Sequence, residues 1–314
     1  MKSRKKSETE SGKRTGLRSV RKKKPRTLAP IAAGWGSFVL ALYAAAAAYH
    51  AMEGAGVALP VQRLVQALIV ALIVAAAVLW MYRRRAGDFP LRLGGGAWKR
   101  EIGAGLAAAG IALALAALGF GIAHGLGWIV VEEIRFTAPL LGAMAFNLGV
   151  ALLYEALPEE LVFRGVIPDA LGRRMRRAAA FMLAPALFVL APLATRALQA
   201  ATGMETQAVT VDYVVLLFFF AVALQFARFA LGGLGGSIGF HLAYLMLARF
   251  AVLAEPGEGL VRYVEIERET GSLFVLFLTV VVGGAAVFAV IGSLRRRHNK
   301  KAPGGALRKT WRLG

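Results

Sequence analysis

Apolar residues run in long uninterrupted stretches along this chain, and the polar ones are gathered between them. Stretches of spanning length lie near 31–51, 61–82, 102–130, 138–163, 179–200, 209–231, 236–254 and 272–294. Each is about the 20 residues that an α-helix needs to cross roughly 30 Å of hydrocarbon. The pattern predicts an all-α polytopic membrane protein with about eight transmembrane helices. A basic tail over 1–30 precedes a helical domain over 31–294, and a second basic tail covers 295–314.

The polar punctuation sets the expected topology. Arg83, Arg84, Arg85, Lys99 and Arg100 follow the second stretch, and Arg164, Arg173, Arg174, Arg176 and Arg177 close the fourth. Glu132 and Glu133, Glu205 and Asp212, then Glu255 and Glu258 fall in the alternate connections. Positive charge accumulates on the cytoplasmic side, so both termini are expected there and the acidic loops outside. Segment 165–178 mixes Val166, Ile167, Leu171 and Met175 with arginines, which suits either a helix lying at the headgroups or an ordinary basic loop. Gly103, Gly105, Gly110, Gly119 and Gly121 make the third stretch a candidate for close backbone packing.

Composition agrees with this picture. The 314 residues are 58% hydrophobic, with a mean hydropathy of +0.60, more apolar surface than one soluble core hides. The net charge of +20 is concentrated at the ends: 12 Lys or Arg lie among the first 28 residues, and Arg295, Arg296, Arg297, Lys300, Lys301, Arg308, Lys309 and Arg312 follow the last stretch. Such tails read as solvated, disordered, orientation-setting charge facing anionic lipid. Membrane lipids are therefore the expected partners, and nucleic acid is not. The chain has no cysteine, which removes disulfides and thiolate sites.

Chemistry concentrates in Pro158-Glu159-Glu160-Leu161-Val162-Phe163-Arg164-Gly165. A charge inside a membrane segment costs roughly 2.5–3.5 kcal/mol on insertion scales unless it has a partner or a function. Glu160 and Arg164 stand at i and i+4 and can pair. Glu159 points about 100° away around the helix beside Pro158, whose missing N–H frees the carbonyl of Tyr154. A desolvated carboxylate of this kind suits a general base for water, and Glu155, one turn earlier, can share its cavity. A second cluster, Gly232-Gly233-Leu234-Gly235-Gly236-Ser237-Ile238-Gly239-Phe240-His241, reads as a tight cytoplasmic turn with Ser237 as N-cap. His241 then reaches a depth similar to that of Glu159. His50 and His124 are expected near the outer ends of helices one and three, and His298 in the basic tail. Arg228 and Arg249 are left open between snorkelling and buried pairing.

Glu-Glu, three residues, then Arg-Gly, followed later by a glycine-rich turn entering an intramembrane His, resembles the CAAX protease and bacteriocin-processing (CPBP/Abi) family over roughly 138–254. The resemblance implies a protease-like core, with Glu159 as the water-activating glutamate and His241 as the oxyanion-stabilising histidine. Glu160, Arg164 and Glu155 are in support. It also implies peptide-bond hydrolysis at the membrane, a membrane-associated or prenylated peptide as substrate, and residence in a bacterial inner membrane. The chain departs from the family pattern twice. The family's Phe-x-x-x-His motif, laid without gaps, falls on Phe188 to Pro192, and the position four residues after His241 is Leu245 where the family has Asn. Three readings stay open: an intramembrane endopeptidase, a non-catalytic relative that binds lipid or protein, and a transporter using Glu155, Glu159, Glu160 and Arg164. One His and two carboxylates make a thin donor set for zinc, so neither metal nor cofactor is expected.

Overall fold

The computed structural model describes residues 28–85, 91, 96–206, 208–254, 259–266 and 270–301. The expectations for most of the basic tails, and for Glu255 and Glu258, lie outside these residues. Among the described residues eight helices are long and apolar enough to cross a membrane, which makes the chain an all-α polytopic membrane protein.

Helix α1 (Ala29–Gly54) carries Pro30 in its first turn, where a missing N–H costs nothing. It turns at Gly56, whose φ of +70° suits glycine, into the antiparallel α2 (Leu59–Arg85). Helix α3 (Ala97–Gly125) was expected to run to residue 130 but stops at Gly125, with Gly127 at φ +75°. The β-branched run Ile129-Val130-Val131 then favours an extended chain. It forms β1 (Ile129–Ile134), which pairs antiparallel with β2 (Val261–Glu265). Glu132 and Glu133, expected in an outer loop, are in this strand, 3.0 and 3.6 Å from the Arg262 guanidinium.

Helix α4 (Ala138–Leu171) is capped by Thr137, whose Oγ1 accepts from Leu140 N–H at 3.4 Å, and continues well past residue 163. The surface helix or basic loop expected from residue 165 is therefore replaced, as far as Leu171, by a buried end of α4. Val166, Ile167 and Leu171 are 2% exposed or less. Asp169 satisfies its carboxylate with Tyr82 Oη, which donates at 2.8 Å, and with Arg228 at 3.6 Å. The apolar stripe found partners inside the bundle, and its acid found two donors, so no lipid surface was needed.

The remaining spans are α5 (Arg177–Ala201), α6 (Val211–Leu231), α7 (Leu234–Val252) and α8 (Thr270–His298), with the last helical turns reaching Lys301. One apolar cluster is built mainly from α1, α2, α4 and α5, with Ala221 of α6 and Leu234 of α7, and the other mainly from α3, α6, α7 and α8, with Ala151 of α4. Leu72 and Leu106, 67% and 70% exposed, belong to the apolar periphery expected to meet lipid.

The tightest approach is between α3 and α7. A Cβ on Gly105 would sit 3.0 Å from the Gly235 carbonyl oxygen, and one on Gly239 would strike the Gly105 backbone. Gly119 packs equally closely on Thr279, whereas Gly103, Gly110 and Gly121 have nothing within 4 Å. Close packing is thus the work of two of the five α3 glycines. Gly239→Ala should destabilise the bundle by about 1–3 kcal/mol, the usual cost of overpacking. Gly103→Ala, pointing into open space, should leave the thermal midpoint of the detergent-solubilised protein unchanged or slightly raised. Equal midpoints for the two variants would refute this packing account.

Candidate active site

Polar groups converge where α4 and α7 cross between the two apolar clusters. Helix α4 is not regular there. Wider π-helical turns at Leu152–Ala156 and Glu160–Val166 flank Pro158, with Leu157 N–H reaching back to Leu152 O and Ile167 N–H to Val162 O. Such bulges accommodate a proline without leaving backbone groups idle, and they re-aim the side chains that follow.

Glu160 and Arg164 form the expected pair at 3.1 Å and are 0% and 1% exposed. The guanidinium also donates from Nη2 to Ala221 O at 3.3 Å and lies 4.7 Å from the centre of the Phe188 ring. Charge, hydrogen bond and ring face together offset the desolvation of a buried cation. Phe188 itself stacks edge-on with Phe163.

His241 is 2% exposed and meets both carboxylates. Its Nδ1 stands 3.3 Å from Glu160 Oε1 and its Nε2 3.8 Å from Glu159 Oε2. The ring rests edge-on against Phe220, with centroids 4.9 Å apart. The division into a self-contained Glu160–Arg164 pair and an isolated Glu159 does not hold, because one imidazole spans both acids. The helix-wheel angle between neighbours is correct for an ideal helix, but a ring with nitrogens on two sides can bridge it.

Glu159 remains the most accessible of the three, with its side chain 15% exposed. Glu155 turns instead to Arg249, which donates to it from Nη2 and to Asn147 Oδ1 from Nη1 at 2.8 Å. The sequence left Arg249 and Arg228 open; both are paired. Gln225 is buried in α6, one turn beyond Ala221. Pro192 lies within α5 one turn from Phe188, and Leu245 is buried one turn beyond His241, so no imidazole or amide stands at either position.

The glycine-rich segment differs from its reading. Helix α7 begins at Leu234 with Gly233 as N-cap, and Ser237 is inside the helix with its Oγ donating to Leu234 O at 3.0 Å. The cap is supplied by Glu101 of α3, a buried carboxylate whose Oε2 accepts from Gly235 N–H at 2.6 Å. A helix N-terminus favours a negative group, and only glycines leave room for this one. Glu101 went unnoticed because it precedes the apolar run, where a lone acid looks solvated. His50 is 3.7 Å from Glu53, and His124 Nδ1 is 3.2 Å from Ile129 O. Among the described residues no group of three or more His, Cys, Asp or Glu is placed to hold a metal ion.

Residues 141–247 match the family model described as type II CAAX prenyl endopeptidase Rce1-like. That segment runs from α4 into α7 and contains Glu155, Glu159, Glu160, Arg164 and His241. It is an Rce1-like domain, consistent with the CPBP family resemblance. No curated protein and no solved structure matches the chain.

Breaking a buried ion pair from one side costs about 3–5 kcal/mol, because the partner is left as an uncompensated charge. Arg164→Met should therefore destabilise strongly, and adding Glu160→Gln to it should recover part of the loss. A double-mutant cycle in chemical or thermal unfolding reads this coupling. Additive losses would mean that the two groups do not depend on each other.

Proposed function

We propose that this protein is an intramembrane endopeptidase of the CAAX-processing kind, with Glu159 activating the water that attacks the scissile carbonyl. The observation that carries this reading is the contact between Glu159 and His241, a partly accessible carboxylate beside a buried imidazole inside an apolar bundle. The Rce1-like match over 141–247 supports the reaction class.

The charge balance of the site suits a base. Glu155, Glu159 and Glu160 face Arg164 and Arg249, so with all three acids ionised and a neutral imidazole the cluster carries one negative charge more than positive. Taking a proton from water brings it to neutrality, which a low-dielectric bundle favours. Attack proceeds by breaking a water O–H bond as the oxygen bonds to the carbonyl carbon. Collapse then breaks the C–N bond, and the same proton leaves with the amine. The substrate is a peptide held at the membrane, with a prenylated C-terminal segment as the leading class. The protein is integral to a membrane; a bacterial inner membrane with both termini cytoplasmic is the orientation that the basic connections favour.

A second reading, a non-catalytic relative that binds such peptides or lipids, is favoured by Pro192 and Leu245. One general acid or base is typically worth about 10²–10⁴ in rate, and one oxyanion donor about 10²–10³. Purified wild-type protein in lipid nanodiscs should release the C-terminal fragment from a fluorescent prenylated peptide. Glu159→Gln should lower that rate by about 10²–10⁴ with the fold intact. Saturable peptide binding without any turnover would establish the second reading in its place.

A further inference from the structure

We propose that Glu160 is a positioning residue that holds His241 as its Nδ1–H tautomer, making Nε2 a proton acceptor paired with Glu159 and not an oxyanion donor. The inference deepens the endopeptidase reading of the same site and rests on it for the reaction, although its structural half does not.

The argument starts from what each neighbour can accept. Glu160 lies 3.1 Å from the Arg164 guanidinium, which favours its ionised form, and an ionised carboxylate only accepts hydrogen bonds. Its 3.3 Å contact with His241 Nδ1 therefore requires the proton to be on that nitrogen. In a neutral imidazole the other nitrogen then carries a lone pair. That nitrogen, Nε2, faces Glu159 Oε2 at 3.8 Å, too far for a direct bond, so when Glu159 is ionised two acceptors look at each other across the site. A water lying alongside such a pair can donate to both, and water is the donor that hydrolysis consumes.

The arrangement follows the logic of a base oriented by a third group, here Glu160 behind His241 with Arg164 behind Glu160. The surroundings hold the ring in place. Phe220 meets it edge-on, Arg164 is anchored to Ala221 O on the same helix as Phe220, and Ser237 is buried one turn before His241. The other imidazoles lie elsewhere: His50 beside Glu53, His124 on the Ile129 carbonyl, and His298 exposed at the end of α8. His241 is thus the imidazole placed to share the proton with Glu159. In the step itself the water O–H bond breaks, its oxygen bonds to the carbonyl carbon, and the proton is taken up by the Glu159–Nε2 pair. It passes from there to the leaving amine as the C–N bond breaks.

The test has two arms. In the first, full-length protein labelled with ¹⁵N-histidine is examined by NMR, with His241 signals assigned by their loss in His241→Gln. A protonated Nδ1 with an unprotonated Nε2 is expected, redistributed towards the other tautomer in Glu160→Gln, since a carboxamide can donate as well as accept. A wild-type ring protonated at Nε2 alone, or a spectrum indifferent to Glu160→Gln in a folded variant, overturns the proposal. If Glu160→Gln does not fold, the wild-type spectrum decides. In the second arm, peptide hydrolysis is compared in His241→Gln and His241→Ala. A glutamine donates hydrogen bonds but takes no proton, so both should fall by a similar factor, about 10²–10⁴. Activity of His241→Gln within tenfold of wild type assigns the ring to donation and overturns the proposal. Absence of wild-type turnover counts against the endopeptidase reading and leaves the tautomer result standing.

Discussion

The carboxylate of Glu160, out of contact with solvent, is the group around which this structure is arranged. An ion in that position is tolerable only when its neighbours replace most of what water supplied. Arg164 from its own helix and His241 from α7 do so, and each requires further support. Arg164 is backed by Ala221 of α6 and by the ring of Phe188 from α5. One buried charge thereby fixes the relative positions of four helices. It also explains why the Phe188 region belongs to the site although α5 brings it no titratable group.

His241 can reach Glu160 only if α7 is seated at the right height, and that seating depends on glycine. Gly105, Gly235 and Gly239 let the backbones of α3 and α7 touch, and the gap at Gly233 and Gly235 admits the Glu101 carboxylate to the N-terminus of α7. The segment that reads as a tight turn is therefore a helix start that receives an internal anion. Its glycines serve close approach, and their effect on chemistry is exerted through the position of His241 two turns along.

The π-helical turns on either side of Pro158 link these features to reactivity. They place neighbouring residues Glu159 and Glu160 against two nitrogens of one ring, so a single imidazole can be oriented by one acid while it faces the other. With Pro192 in α5 and Leu245 in α7, the imidazole that meets these acids comes from His241 of α7. The pair of Glu155 with Arg249 and Asn147 closes the same α4–α7 contact on the far side of Glu159.

The number of spans, their approximate limits, the membrane environment and the Glu160–Arg164 pair could all be read from the chain, because hydrocarbon thickness and helical spacing act locally. The same local rules misplaced the end of α3 and the start of α7 and turned the buried end of α4 into a surface segment. Strand pairing between residues far apart, a cap from another helix, and an acid matched by Tyr82 and Arg228 have no local signature. The grouping of Glu159, Glu160 and His241 was foreseeable only as a similarity of depth. Which nitrogen meets which acid depends on π-helical turns and on a glycine contact with α3, since the energy of a buried charge is set by every group within a few ångströms, whatever its place in the sequence.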